Sequence, residues 1–215
     1  MLKLSFQECI ALLRQRLAGP LPGAAAQLQM APEYRQSPEQ FGIAGKPCRE
    51  AGVLILLFPE EERPHLLLVV RPSHLREHGG QIGFPGGRRE PEETLQETAL
   101  REAYEELGLP PDQIELIAPL TPLYIPVSNF CVHPFVGYIA SLPTLQPCPE
   151  EVEAVLRIPL ATLLDPTSRR RERWTIRGRT VMVPFFAVQH YRIWGATAMM
   201  LAELLALLTP NGLMD

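Results

Sequence analysis

Residues 83–109, GFPGGRREPEETLQETALREAYEELGL, are the stretch of this chain that decides its fold. Two adjacent glycines, Gly86 and Gly87, lie near its start, and it continues into a predicted helix from about Glu92 to Leu107. One apolar stripe runs along this helix, because an apolar residue recurs every fourth position at Leu95, Ala99, Ala103 and Leu107. The spacing therefore predicts an amphipathic helix with one buried side.

The same helix carries carboxylates where helices do not favour them. Glu102 and Glu106 lie on one face beside the apolar stripe, and Glu105 lies close to that face. The helix dipole disfavours negative charge in the last two turns, and like charges four residues apart cost a few tenths of a kcal/mol. A multivalent cation would reverse the sign of this interaction. Because hard oxygen ligands suit Mg²⁺ or Mn²⁺, the pattern indicates a metal site.

Apolar runs on both sides of this helix predict the strands of a sheet. Val53–Phe58 and Leu66–Val70 flank the sequence PEEERP and predict an antiparallel hairpin. Further strands are predicted at Ile114–Pro119, Val132–Ala140, Val152–Ile158 and Val181–Val188, the last after a turn at Gly178. With a final helix on the other face, these elements predict an α/β fold of the α/β/α sandwich type.

The final helix, Trp194–Leu208, is apolar nearly all round, since Glu203 is the one charged residue between Ala198 and Leu208. Such a helix is buried on more than one side. The chain offers two ways to cover it: its own proline-rich N-terminal connector, or a second copy in a homodimer.

We expect residues 1–47 to form an N-terminal helix, over residues 2–17, followed by that extended connector, and residues 48–215 to form the main domain.

Composition excludes several classes of protein. A formal net charge of −4 argues against a general nucleic-acid binder. No window reaches the roughly 18 unbroken apolar residues that a membrane span needs, and Lys3, Gln7 and Glu8 interrupt any apolar run of a signal peptide. The scattered cysteines, without a C-x-x-C pair, predict reduced thiols in a cytoplasmic protein; they are Cys9, Cys48, Cys131 and Cys148.

The order of residues in the glycine–helix stretch resembles the Nudix box, G-x5-E-x7-R-E-U-x-E-E-x-G-U, where U is a bulky apolar residue. The matching positions are Gly87, Glu93, Arg101, Glu102, Glu105, Glu106, Gly108 and Leu109, with Ala103 a departure at the first U. The resemblance implies a Nudix α/β/α sandwich with a mixed β-sheet and a metal-dependent diphosphate hydrolase. It also implies that Glu102, Glu105 and Glu106 bind the metal, while Glu93 and Arg101 hold the loop and helix in place.

The preceding segment narrows the expected substrate. Residues 67–87, LLVVRPSHLREHGGQIGFPGG, resemble the coenzyme A diphosphatase motif L-L-T-x-R-S-x3-R-x3-G-x3-F-P-G-G, with Val69 and Pro72 as departures. The resemblance implies cleavage of coenzyme A or acyl-CoA into 4′-phosphopantetheine (or its acyl form) and adenosine 3′,5′-bisphosphate. Arg71 and Arg76 are suited to phosphates, because a guanidinium offers bidentate donors. Gly86 and Gly87, at the expected helix entrance, can bring backbone groups close to an anion.

The sequence alone leaves alternatives open for the arginines and for the function of the fold. Arg71 and Arg76 could instead form ion pairs that anchor the loop. The enzyme could cleave another nucleotide diphosphate, such as ADP-ribose or NADH, or the fold could serve as a non-catalytic binding module. A basic cluster between Arg169 and Arg179 fits a solvated hairpin face, a contact to a substrate 3′-phosphate, or an RNA-contacting edge.

Overall fold

The computed structural model of the chain describes residues 4–74, 78–176 and 178–209. The helices are α1 (Phe6–Leu17), α2 (Gly23–Leu28), α3 (Pro38–Phe41), α4 (Leu95–Leu107), α5 (Leu160–Leu164) and α6 (Gly195–Leu208). The strands of the larger sheet are β1 (Arg49–Glu60), β2 (Arg63–Val70), β3 (Ile82–Gly83), β4 (Gly86–Arg88), β5 (Glu115–Pro119), β6 (Leu123–Ile125), β7 (Phe130–Tyr138) and β8 (Ala154–Pro159). A smaller sheet contains β9 (Arg169–Ile176), β10 (Arg179–Val188) and β11 (Tyr191–Trp194).

The larger sheet is mixed, as the resemblance implied. Its strands follow the order β3-β2-β1-β7-β5, with β4 paired to β1, β6 to β7 and β8 to β2. The predicted hairpin is confirmed, because β1 and β2 run antiparallel with Leu57 opposite Leu66. β1 and β7 run parallel along their length. Both faces of β1 are buried, which explains the unbroken apolar run that its sequence shows.

Helices cover both faces of this sheet and confirm the α/β/α sandwich. On one face, Ala99, Ala103 and Leu107 of α4 are fully buried in one cluster with Leu54 and Leu56 of β1. α1 and α6 pack on the other face. A glycine makes the close approach of α4 possible: a Cβ at Gly52 would lie 2.3 Å from the Leu95 carbonyl oxygen. Any side chain there would push α4, and the carboxylates that it carries, away from the sheet.

The final helix is buried, as its composition predicted, and the N-terminal connector covers it. Glu203 is fully buried in α6, and its carboxylate accepts hydrogen bonds from Gln27 Nε2 (2.8 Å), Gly23 N (3.1 Å) and the Thr121 hydroxyl (2.6 Å). Two of these donors belong to α2. The prediction of an extended connector was therefore wrong, since short helices form where α2 and α3 pack on the domain.

Among the described residues, no helix is both long and apolar enough to cross a membrane.

The N-terminal helix begins later than predicted. Ser5 caps α1 in a capping box with Glu8, so the helix starts at Phe6. Phe6, Cys9 and Leu13 then join the same buried cluster as α6. The boundary between residues 1–47 and 48–215 stays a prediction, although α1 shares a core with the main domain.

The cysteines depart from the prediction of reduced thiols. Cys48, just before β1, and Cys131, in β7, form a disulfide, whereas Cys9 and Cys148 are free. The parallel pairing of β1 with β7 sets Glu50 opposite Cys131 and so brings Cys48 near its partner. Eighty-three residues separate the two cysteines in sequence, which is why spacing gave no sign of the pair.

Reduction of this disulfide is expected to destabilise the fold. A cross-link that closes a loop of this length stabilises a protein by roughly 3–5 kcal/mol, chiefly by restricting the unfolded chain. We expect dithiothreitol to lower the melting temperature by at least about 5 °C. The Cys131→Ser variant should lose this sensitivity to reductant, and Cys148→Ser should keep it. Four titratable thiols in the denatured, unreduced protein, with identical melting in both conditions, would contradict the bond.

Candidate active site

Helix α4 is the frame of the candidate site, and both of its ends are defined by capping residues. Thr94 caps the start in a capping box with Glu97, so α4 begins at Leu95, three residues later than predicted. Gly108 ends the helix in the left-handed conformation at φ 69°. The predicted arrangement of Glu102 and Glu106 on one side of α4 is confirmed, since both reach the same group of carboxylates.

Arg101 holds the segment before α4 against the helix. Its guanidinium donates to both carboxylate oxygens of Glu93, at 3.0 and 2.9 Å, and to the carbonyl oxygen of Arg88 at 3.1 Å. Glu93 also accepts from the Thr98 hydroxyl at 2.9 Å. Hydrogen bonding to Arg101 lowers the pKa of Glu93 to about 2 and raises the pKa of Arg101. This geometry suits the orienting role that the resemblance implied for Glu93 and Arg101.

Three carboxylates converge beside α4. Glu102, Glu106 and Glu151 each place an oxygen within 4.8 Å of the other two. Glu106 is 1% exposed, and burial is the main cause that raises its pKa to about 8. Burial also raises the pKa of Glu102, although Arg101 opposes this shift with a hydrogen bond of 3.0 Å. Such a set of poorly compensated oxygens suits a divalent cation.

Glu151 was missed by sequence reasoning, and the backbone of its loop explains its position. The last carbonyls of a helix lack partners within the helix. Here Cys148 N donates to the Glu106 carbonyl at 2.9 Å, and Gln146 N donates to the Leu107 carbonyl at 2.8 Å. These bonds hold the loop against the end of α4, and the loop in turn places Glu151 beside Glu102 and Glu106. Acidic residues are common in loops, so the sequence gave no signal for this one.

Glu105 lies apart from this cluster. Its carboxylate is not part of the group formed by Glu102, Glu106 and Glu151, and its side chain is 53% exposed. Its carboxylate instead accepts a hydrogen bond of 2.8 Å from Arg101, one turn earlier in α4. A role for Glu105 as a metal ligand stays a prediction.

The two glycines face the carboxylates from a strand and not from a helix entrance, so that part of the prediction was wrong. Gly86 and Gly87 lie in β4, paired with β1. A Cβ at Gly87 would lie 2.4 Å from the Glu102 carboxylate, so any other residue there would displace that group from its position. Gly86, at φ 148°, donates its N–H to Glu106 at 3.3 Å. The pair therefore borders the site opposite the C-terminal half of α4.

Arg71 brings a cation to the cluster. It follows β2, and its Nη1 lies 3.9 Å from the Glu106 carboxylate. Its Nε is buried and has no hydrogen-bond partner among the described residues, so the site contains a donor without an acceptor. Glu153 fixes the loop that follows, because it accepts from Ser73 N at 3.1 Å. Arg76, the second predicted substrate contact, lies outside the described residues.

Known proteins resemble this chain over most of its length. The NUDIX domain family matches residues 49–177. The Nudix hydrolase NudL of Enterobacter sp. (strain 638) is 40% identical over 157 residues, which are 73% of this chain and 81% of that protein. Nudix hydrolase 3 of Caenorhabditis elegans is 35% identical over 175 residues, covering 74% of this chain and 73% of the relative.

Solved structures include a Nudix hydrolase from M. smegmatis, RenU, with a TM-score of 0.47 and 22% identity over 54% of this chain and 74% of that one. The family match spans more than half of the chain, and the two sequence relatives each cover more than two thirds of it. The chain therefore belongs to the Nudix family and is a hydrolase that acts on acid anhydrides in phosphorus-containing compounds.

Proposed function

We propose that the protein hydrolyses the diphosphate of coenzyme A or acyl-CoA, releasing 4′-phosphopantetheine (or its acyl form) and adenosine 3′,5′-bisphosphate. One observation carries the proposal: Arg71, the first arginine of the segment that resembles coenzyme A diphosphatases, lies 3.9 Å from Glu106 in the carboxylate cluster. The substrate segment and the box thus meet at one place. A diphosphate bound there would supply the acceptor that the buried Nε of Arg71 lacks.

Nudix hydrolases generally need a divalent metal, and the residues present fit one. Glu102, Glu106 and Glu151 would hold Mg²⁺ or Mn²⁺, with Glu105 as a further predicted ligand. When bound, such an ion neutralises phosphate charge and activates a water molecule for attack on phosphorus. The carboxylates repel one another in a partly buried place, so binding a cation relieves an unfavourable contact that the fold itself imposes.

The remaining residues orient the substrate. Arg71 and Arg76 would bind the diphosphate oxygens, and Gly86 and Gly87 would let it approach the strand backbone closely. Arg101 keeps the Glu93 segment and the Glu102 side chain in fixed positions through its hydrogen bonds.

A substrate panel tests the proposal. Coenzyme A, dephospho-coenzyme A, ADP-ribose and NADH share the diphosphate, so the carboxylate cluster cannot discriminate among them. Among these four, only coenzyme A carries a 3′-phosphate, and a charge-assisted hydrogen bond to it is worth roughly 1.5–3 kcal/mol. We expect kcat/KM for coenzyme A to exceed that for dephospho-coenzyme A by at least about tenfold with Mg²⁺ or Mn²⁺. Equal rates, or faster cleavage of ADP-ribose or NADH, would contradict the coenzyme A assignment and leave the family assignment intact.

Cytoplasmic location and a homodimer stay predictions. A homodimer would need a surface other than α6, because α1 and α2 already cover that helix; sedimentation would show it. Disulfides are characteristic of oxidising compartments. The state of Cys48 and Cys131 in cells therefore bears directly on the predicted location.

A further inference from the structure

The smaller sheet carries arginines that the carboxylate cluster does not use. The side chains of five of them make no hydrogen bond or ion pair within the described part of the chain: Arg169, Arg170, Arg171, Arg173 and Arg179. Arg179 begins β10, and the other four lie on β9, which is an edge strand because the order is β11-β10-β9. Charged residues on an edge strand discourage pairing with other chains. That explanation covers charge on β9, but it does not explain the aromatic residues that lie beside it.

One face of this sheet combines arginines with aromatic rings. Cross-strand pairing sets Arg170 opposite Phe185, and Phe185 opposite Trp194, so these three side chains share a face. Trp174 lies on the same face, with ring centroids 5.4 Å from Trp194 and 5.5 Å from Phe185. The Arg192 guanidinium lies 5.8 Å above the Trp174 ring. We call these five residues the Trp/Arg face.

The side chains of the Trp/Arg face differ in their exposure and in the contacts that they already make. Arg192 is already engaged, because Glu172 accepts an ion pair from it at 3.2 Å and a hydrogen bond from Trp174 Nε1 at 3.1 Å. Phe185 is buried beneath the others at 1% exposure. Arg170 is exposed and unpaired, and both tryptophans are partly exposed. The face therefore presents one free guanidinium beside planar ring surfaces.

This face is connected to the segment that enters the candidate active site. β11 lies against β3, and α6 begins directly after Trp194. Thr197, in the first turn of α6, donates its hydroxyl to the Ile82 carbonyl at 2.9 Å. Ile82 belongs to β3, four residues before Gly86. The Trp194 end of the face thus lies beside the chain that carries the glycines to the carboxylates.

We infer that the Trp/Arg face binds the adenosine 3′-phosphate end of the substrate, with Arg170 contacting the 3′-phosphate and the tryptophan rings stacking on the purine. The inference rests on the proposed function and names the surface that would make it selective. A guanidinium binds phosphate through a planar fork of donors. Aromatic rings stack on any nucleobase, since every base has a π-face. The backbones of Arg170 and Trp194 are roughly 10 Å apart, since both residues pair with Phe185 and each strand spacing is about 4.8 Å. An adenosine phosphate can bridge such a span.

The two tryptophans give a test that needs no catalysis, because they are the only ones in the chain and both lie on this face. Adenosine 3′,5′-bisphosphate contains the recognised end and no diphosphate, so it can bind without being cleaved. We expect it to change tryptophan fluorescence in a saturable way, with calorimetry giving the same affinity. Adenosine 5′-monophosphate, without the 3′-phosphate, should bind at least about tenfold more weakly.

A matched pair of variants identifies the guanidinium. Arg170→Gln should weaken adenosine 3′,5′-bisphosphate binding at least about tenfold, whereas Arg173→Gln, exposed on the opposite face of the same strand, should bind like the wild type. The preference for coenzyme A over dephospho-coenzyme A should fall toward one in Arg170→Gln and persist in Arg173→Gln. No binding by fluorescence and calorimetry, or equal effects of the two variants, would overturn the inference. Binding without coenzyme A cleavage would instead refute the proposed function and keep the surface.

Discussion

Replacing Glu106 by glutamine is expected to lower kcat/KM by at least about a hundredfold, ~2.7 kcal/mol of transition-state stabilisation. Glu106 is the most buried member of the carboxylate cluster, at 1% exposure, and it lies within reach of both Gly86 and Arg71. An amide keeps the shape of the side chain but removes the charge that a divalent cation would need. We expect Mn²⁺ affinity, measured by calorimetry, to fall together with turnover.

The same substitution should not destabilise the metal-free protein. Burial makes the charged form of Glu106 unfavourable and raises its pKa, so folding must either bury the charge or bind a proton. Glutamine avoids both costs. We expect the variant to melt at or above the wild-type temperature in the presence of a chelator. Glu92→Gln, the same change at an exposed position before the helix cap, is the matched control. Retention of more than about a tenth of the activity, or unchanged Mn²⁺ affinity, would contradict the assignment of Glu106 as a ligand.

Local patterns in the sequence predicted the frame of the site because they have a period. Ala99, Ala103 and Leu107 recur at every fourth position, and this spacing predicted the buried side of α4. The same spacing placed Glu102 and Glu106 beside that buried side. The contact between Glu93 and Arg101 could also be expected to run through the loop before the helix, and it does. The predicted start of α4 was three residues too early, because Thr94 caps the helix and the acidic residues before it lie outside.

Features that depend on the meeting of distant segments could not be predicted in this way. Glu151 reaches the cluster only because loop N–H groups satisfy the free carbonyls at the end of α4. Cys48 meets Cys131 only because β1 and β7 pair in parallel. β11 was missed because four residues are too few to show a period. Such features depend on tertiary contacts that no window of sequence contains.

Replacing Glu151 by glutamine is the second substitution with a large expected effect. Because its carboxylate lies within 4.8 Å of those of Glu102 and Glu106, we expect both Mn²⁺ affinity and kcat/KM to fall at least about tenfold, ~1.4 kcal/mol. Its neighbour Glu150 provides a matched control in the same loop. The Glu150 carboxylate contacts the Cys148 thiol at 3.1 Å and does not belong to the cluster.

Glu150→Gln should therefore behave like the wild type in both measurements. Both residues are exposed, and the loop is held by backbone bonds such as Glu151 N to the Cys148 carbonyl at 3.0 Å. Neither substitution removes those bonds, so melting temperatures should stay within about 1–2 °C of the wild type. If Glu151 only shaped the loop, the two variants would show the same Mn²⁺ affinity and the same rate, and the third carboxylate would have to be assigned elsewhere. A loss confined to Glu151→Gln requires its charge at the site, because loop backbone, side-chain size and fold are matched in the pair.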